Sequence, residues 1–274
     1  MATYNVHGGV DGWGRPFDVT AVCGALDADV LVLQESWAPE EGPALHDLVA
    51  GALGYPTVHF LPLALGRITL PPEDPGPRWG APVHVRSGYG MRLERYRSGL
   101  TSTRTTPDPP RGPSGRGAWG VALLARVPVI DLEIVELTEL ASDPARRGVI
   151  VADVAVGPGG DLLRVAGTHL AHITQGSPGH LAVLRRRLTA PSAHGDVPSR
   201  TVFTGDMNMW GPPLVALLPG WRRAVRGCTW PSWARRPFAQ ADHVLVTGAV
   251  GAADGEVVHE GRSDHYPVRA RLVW

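Results

Sequence analysis

Thr201-Val202-Phe203-Thr204-Gly205-Asp206-Met207-Asn208 reads as a short buried strand running into a turn that carries an acid and an amide. Thr201, Val202 and Phe203 are β-prone and supply the strand. Gly205 is expected to break it and to let the backbone pass close to a neighbour. Asp206 and Asn208 stand two apart, so in an extended chain they point to the same side. A carboxylate beside a carboxamide at a strand end can hold a water and steer a phosphate or a metal. Taken alone, the pair is as well explained as an ordinary turn. Four other stretches of the same kind along the chain change that balance.

In all, five polar islands sit at the ends of apolar runs: Asn5; Glu35 after the DVLVLQ run; His169 after Val165-Ala166-Gly167-Thr168; Asp206 with Asn208; and Asp242-His243 together with Ser263-Asp264-His265. Gathered on one rim, they make a concentrated acid, imidazole and amide cluster, the setting in which metals bind and pKa values shift. Glu35 and Asp264 are hard oxygen ligands suited to Mg²⁺ or Mn²⁺. No HxH or HExxH spacing points to zinc. His169 and His265 can donate to a phosphoryl oxygen, and a histidine near neutral pKa can take a proton from water. Asp242 can orient His265 as a carboxylate orients an imidazole in hydrolases, and a metal would neutralise phosphate charge and stabilise the leaving oxygen.

Composition bounds the alternatives. The 274 residues allow a sizeable core, and 43% of them are apolar. Twenty-six basic and 26 acidic residues cancel, so nothing marks a bulk polyanion binder, although a local basic groove remains open. Every basic residue is Arg, which reads as coding bias as much as phosphate recognition. Cys23 and Cys228 show no metal-binding spacing and imply thiols in a reducing compartment. No secretory leader or membrane span is visible, so a soluble, cytoplasmic monomer is expected.

Helices are expected at 17–26, 43–53, 179–188 and 212–218, and strands at 2–6, 29–34, 57–60, 120–125, 129–137, 149–156, 162–168, 201–204, 241–247 and 266–273. Residues 61–117, rich in Pro, Gly and Arg, read as an irregular excursion, and 219–240 as a Trp/Arg-rich loop. The pattern is α+β: two sheets packed together with helices outside, in one domain spanning 1–274.

The ordered series Tyr4-Asn5-Val6, Leu33-Gln34-Glu35, Gly167-Thr168-His169-Leu170, Thr204-Gly205-Asp206-Met207-Asn208, Ala241-Asp242-His243-Val244 and Ser263-Asp264-His265-Tyr266-Pro267 resembles the endonuclease/exonuclease/phosphatase (DNase I-like) superfamily. The resemblance implies a four-layer α/β-sandwich, with two central mixed or antiparallel sheets flanked by helices and the site at their top. It implies divalent-metal phosphoester hydrolysis, with a phosphodiesterase or nuclease as the leading reading. Hydrolysis of a small or lipid phosphoester is the alternative, and a non-catalytic binding protein on the same fold a second. Carried over, Glu35 is the principal metal ligand, with Asn5 and Asp264 beside it. Asp206 positions or deprotonates water, Asn208 holds the phosphate, and His169 and His265 bind phosphoryl oxygens, with His265 paired to Asp242. Many members carry Asp where this chain has His7, so a second metal there is in doubt. The implied partner is a phosphoester: nucleic acid, phospholipid or a small phosphodiester.

The remaining polar and aromatic residues take plainer readings. His172 and His180 read as surface or helix-start residues, His243 as a structural histidine, and Arg185, Arg186 and Arg187 as a solvated helix face. Trp221 is expected in the core, while Trp230 and Trp233 can be core or a stacking platform.

Overall fold

In the computed structural model, which describes residues 1–12, 14–69, 90–94, 114–157, 159–189 and 200–274, runs of Val, Leu and Ala alternate between two apolar environments. The strands are β1 (Ala2–Asn5), β2 (Val30–Pro39), β3 (Thr57–Thr69), β4 (Gly90–Glu94), β5 (Ser114–Ala125), β6 (Val129–Glu136), β7 (Gly148–Val156), β8 (Asp161–His169), β9 (Arg200–Asp206), β10 (Arg222–Arg223), β11 (Asp242–Gly248), β12 (Gly251–Val257) and β13 (Val268–Val273). They form a seven-stranded sheet, β12-β13-β1-β2-β5-β3-β4, and a six-stranded sheet, β10-β11-β9-β8-β7-β6. Val32, Leu123, Val165, Val202 and Val244 meet between the sheets. The outer face of the first sheet buries Leu31 and Leu33 with Val22 and Leu26 of helix α1 (Val19–Leu26) and Val49 of α2 (Leu45–Leu53). The outer face of the second buries Phe203 with Leu181 and Leu184 of α3 (Ser177–Arg187), Leu214 of α4 (Gly211–Leu217) and Trp221. This is the expected four-layer sandwich.

Each sheet has one parallel pair in its interior. β1 runs parallel to β2 with Asn5 opposite Gln34, and β8 runs parallel to β9 with His169 opposite Asp206. β11 lies antiparallel on the other side of β9, placing Asp242 opposite Asp206. Because side chains alternate along a strand, the inward series Val202-Thr204-Asp206, Val165-Gly167-His169 and Val246-Val244-Asp242 each carry the apolar inner face to a polar end. The site is the upper edge of the core.

Two local expectations differ from the structure. Gly205 does not break β9, which continues to Asp206. Its φ is 137°, and a Cβ there would stand 2.0 Å from the Thr168 carbonyl oxygen, so the residue is needed for close approach of β8 and β9. Glu35 does not end β2, because the strand runs on to Pro39 through a bulge between Leu33 and Ser36. The extra residue, with Glu35 at φ 55°, reverses the alternation: Ser36 faces outward to His46, while Trp37 enters the inter-sheet core.

Most of the 61–117 excursion lies outside the described residues. Its ends do not: β3 extends to Thr69 and β5 begins at Ser114, lengthening both strands beyond the expected 57–60 and 120–125. β12 has no counterpart in the sequence reading. Its GAADGEV is an exposed edge strand without the alternation that marks a buried one. Cys23 is buried, Cys228 is exposed, and neither forms a disulfide. Among the described residues no helix is long and apolar enough to cross a membrane.

Candidate active site

The polar ends of β1, β8, β9 and β11 meet around Asp206, with Glu35 joining from the bulge in β2. Asn5 is fully buried and bridges the two sheets: its Nδ2 donates to Glu35 Oε1 at 3.1 Å and to Asp206 Oδ2 at 3.0 Å. Its own orientation is fixed by the His7 amide, which donates to Asn5 Oδ1 at 3.1 Å. Ser263 ties the last loop down by donating from Oγ to the Asn5 carbonyl at 2.6 Å, and the Ser263 and Arg262 amides donate to the Tyr4 hydroxyl. That anchoring brings Asp264 and His265 onto the same rim as Asn5.

Asp206 is 1% exposed and faces two imidazoles, with His169 Nε2 at 3.5 Å and His265 Nε2 at 3.7 Å from its Oδ2. Its other oxygen, Oδ1, accepts from the Asn208 amide at 2.8 Å, which holds Asn208 at φ 48°. Asp206 and Asn208 are therefore joined by a turn instead of sharing an extended face. Asn208 Nδ2 lies 3.1 Å from His169 Nε2 and donates to the Leu170 carbonyl at 3.0 Å. On the opposite side His265 Nδ1 pairs with Asp242 Oδ2 at 2.7 Å, and Thr229 Oγ1 accepts from the Ala241 and Asp242 amides.

These contacts polarise the rim. Burial alone would raise the Asp206 carboxyl, but the facing His169 and His265, with the Asn5 and Asn208 donors, hold it below the usual carboxylate range. Burial also disfavours the charged form of His265, yet Asp242, Asp264 and Asp206 outweigh it and lift the imidazole well above its ordinary value. His169 goes the other way, driven by burial to about 3 despite Asp206. These shifts favour a neutral His169, able to accept at Nε2 from Asn208, and the charged form of His265. Glu35 is raised, first by burial and then by Asp264, against the attraction of His7. A half-buried carboxylate held among further acids is an environment that a cation would relieve.

The sequence-predicted residues thus fall into two groups. Asn5, His169, Asp206, Asn208, Asp242 and His265 form one hydrogen-bonded network, which Glu35 joins through Asn5. Asp264 sits at its edge, 3.7 Å from His7 Nδ1, and His7 at φ 47° is 5% exposed. Two donor sets suit a cation. One is Glu35 with Asn5 and Asp264. The other is Asp206, Asp242 and His265, whose ligand atoms lie within 4.8 Å of one another. In the second set Asp242 Oδ2 and His265 Nδ1 are already used by their mutual bond.

Several neighbours differ from their sequence reading or were not read at all. His180 does open α3, but it is buried, with Nε2 donating to the Thr138 carbonyl at 2.8 Å. His172 caps a short 3-10 turn. His243 is structural as expected: it is fully buried, its Nε2 faces the Met209 and Gln240 carbonyls, and burial lowers it to about 4. Trp221 is in the core and Trp233 packs on Gly12. Trp119 supports the His169 ring at 5.0 Å, backed by Arg147, which is paired with Asp143 and donates to the His169 carbonyl. Its place in an apolar strand hid this role. Trp210 and Phe238, 53% and 67% exposed, line a recess with Trp230, Asn208 and His265. The only sequence signal for Trp210 was its position two residues after Asn208.

The model of the Endonuclease/Exonuclease/phosphatase family matches residues 2–265, a span that contains every residue of this rim. No curated protein matches the chain. Among solved structures, an endonuclease/exonuclease/phosphatase from Beutenbergia cavernae DSM 12333 superposes with a TM-score of 0.63 at 20% identity, over 99% of this chain and 70% of the other. A mannosyl-6-phosphatase from Bacteroides thetaiotaomicron gives 0.62 at 14% identity, over 100% and 98%. D. rerio TDP2, complexed with a single-strand DNA product, gives 0.55 at 16% identity, over 100% and 98%. At these identities the neighbours show a shared fold.

Proposed function

The chain belongs to the endonuclease/exonuclease/phosphatase family, and from that premise we propose that it is a divalent-metal-dependent phosphoester hydrolase acting on phosphodiesters. The observation that carries the reading is Asp206 Oδ2 facing His265 Nε2 across 3.7 Å, in surroundings that shift the carboxyl down and the imidazole up, with Asn208 and His169 in contact beside them. That arrangement offers a proton acceptor, a cationic donor and an amide donor to one entering group.

The donor chemistry fits a hard cation at Glu35, with Asn5 and Asp264 beside it: Glu35 is a half-buried acid near a second acid, Asp264, and the set is oxygen-rich. When bound, Mg²⁺ or Mn²⁺ supplies charge neutralisation at the phosphoryl group and at the leaving oxygen. Asp206, kept ionised, positions the attacking water or takes its proton. Asn5 holds the Asp206 carboxylate by donating to Oδ2, which leaves the Asp206 orientation no freedom to drift. Asn208 Nδ2 and His169 Nε2 converge on one point, so an entering phosphoryl oxygen becomes the acceptor for the amide. His265, charged and braced by Asp242, donates to a second phosphoryl oxygen from Nε2.

Purified protein is expected to hydrolyse bis(p-nitrophenyl) phosphate with Mg²⁺ or Mn²⁺ and to stop when chelator is added. Hydrolysis that persists in chelator, or at the wild-type rate in Asp206→Ala protein, would overturn the proposal. A non-catalytic role on the same fold predicts instead no turnover and no metal binding that depends on Glu35.

A further inference from the structure

Beside β10 lies a pocket of about 500 Å³, lined by Arg222, Arg223 and Arg226 with Trp221 and Val246, and with no carboxylate in its wall. Such a cluster normally has acids to balance it. Here Arg222 donates to the Gly248 and Val250 carbonyls, and Arg223 Nη1 donates to Gln240 Oε1 at 2.9 Å. Among the described residues none of the three forms an ion pair. Burial and the neighbouring Arg226 charge both push the Arg223 guanidinium down, so the charges repel without compensation. An anion in this pocket would relieve them.

The pocket is connected to the candidate site through two residues. Gln240 accepts from Arg223 and also lines the aromatic recess, which His265 and Asn208 close on the other side. Gly211 packs so tightly on Arg223 that an added Cβ would stand 1.8 Å from its Nη1, and Gly211 directly follows Trp210. The recess measures about 180 Å³, and its wall includes Trp230 and Phe238 in edge-to-face contact at 5.4 Å. That is smaller than the ~300–1,000 Å³ of pockets for drug-sized ligands and suits one planar ring system. The recess thus shares Asn208 and His265 with the candidate site, and Gln240 joins it to Arg223 of the arginine pocket.

We infer that the substrate is a single strand of nucleic acid, with one phosphate at Asn208 and His265, the adjoining base stacked against Trp210 and Phe238, and a second phosphate held by Arg222, Arg223 and Arg226. A single strand presents an alternation of anion and flat ring. Exposed aromatics interleaved with arginines are how sequence-tolerant single-strand binders meet it. The inference rests on the proposed hydrolase site for its first phosphate only, and its test requires neither metal nor turnover.

The test is fluorescence anisotropy of labelled hexathymidylate with the full chain in EDTA, over a salt series. The other arms are an abasic hexamer, inositol hexakisphosphate, and phosphatidylcholine vesicles containing a phosphoinositide. Hexathymidylate is expected to bind best. Trp210→Ala should weaken it about tenfold to a hundredfold. Arg222→Ala/Arg226→Ala should lower the slope of log K against log salt by about 0.7, the contribution of one neutralised phosphate on a single strand. Arg226→Glu alone tests the same pocket should the double variant fold poorly. Arg185→Ala/Arg186→Ala on the solvated face of α3 is the charge-matched control and should change nothing. The inference fails if the abasic hexamer binds as tightly as hexathymidylate, if the salt slope survives the arginine variants, or if inositol hexakisphosphate or the vesicles bind best. Because binding is read without metal, those failures leave the hydrolase proposal standing, and a protein that binds the strand but hydrolyses no phosphodiester overturns only the latter.

Discussion

The two sheets bring different chemistry to the same rim. The first contributes Asn5 and Glu35, joined by Asp264 and His7 from the flanking loops. This half is rich in oxygen donors, and its Glu35 carboxyl is raised by burial. The second contributes His169, Asp206 and Asp242, joined by Asn208 and His265. Here both Asp206 oxygens, His169 Nε2, Asn208 Nδ2 and His265 Nδ1 have a hydrogen-bond or charge partner, and Asp206 is held below the usual carboxylate range. The backbone device is the same in both, an interior parallel pair ending at the top. In the proposed reaction, equivalent backbone positions would divide the work: one half would hold the cation, and the other would handle protons and phosphoryl oxygens.

The largest expected effect falls on the second half. Asp206→Ala should lower kcat for a phosphodiester about 10³-fold while leaving metal affinity, read by calorimetry, within about threefold. A large loss of metal affinity in that variant would erase the division between the halves.

Gly205 tests whether the second half depends on the close approach of β8 and β9. An alanine Cβ would meet the Thr168 carbonyl oxygen at 2.0 Å, so Gly205→Ala should destabilise the fold by about 3 kcal/mol or more in urea denaturation. Gly159→Ala, with nothing within 4 Å of the added carbon, should stay within about 0.5 kcal/mol.

Acid should loosen the second half first. Above pH 6.5 His243 is neutral in both folded and unfolded chains. As pH falls below 6.5 the unfolded chain takes the proton, whereas folded His243 resists until about 4. Stability is therefore lost through that window, by about 2 kcal/mol between pH 6.5 and 5 for this one group. His243→Gln should flatten that part of the urea-midpoint profile, and an unchanged profile would show that His243 does not control it.

The smallest effect belongs to the first half. The folded Glu35 pKa is raised, so its ionised form costs stability above the unfolded value of 4.5. In chelator at pH 7, Glu35→Gln should stabilise the protein by about 1 kcal/mol in thermal denaturation. It should also remove the stabilisation that Mg²⁺ gives the wild type.

The sequence was most legible where alternation and charge coincide. The DVLVLQ run and the Thr201–Phe203 strand announced two buried layers, and the six ordered motifs marked the residues that converge on Asp206. What escaped has physical causes. The bulge at Glu35 inserts one residue without any glycine or proline to signal it, so the sequence pattern ends the strand there. β12 is an edge with nothing apolar to bury on its exposed residues, and its composition reads as loop. Trp119, Arg147 and Asp143 support His169 through contacts across elements, which no local pattern reveals. The Trp/Arg-rich loop was visible as composition, but only the fold separates its aromatic side from its arginine side.

The division between the halves is tested most directly by titrating Mg²⁺ into a bis(p-nitrophenyl) phosphate assay with wild type, Glu35→Gln and Asp206→Asn side by side. Glu35→Gln should shift the half-saturating Mg²⁺ concentration upward by tenfold or more. Asp206→Asn should lower the plateau at a nearly unchanged half-saturating concentration. Both variants moving the same parameter, or activity that needs no metal at all, would contradict it.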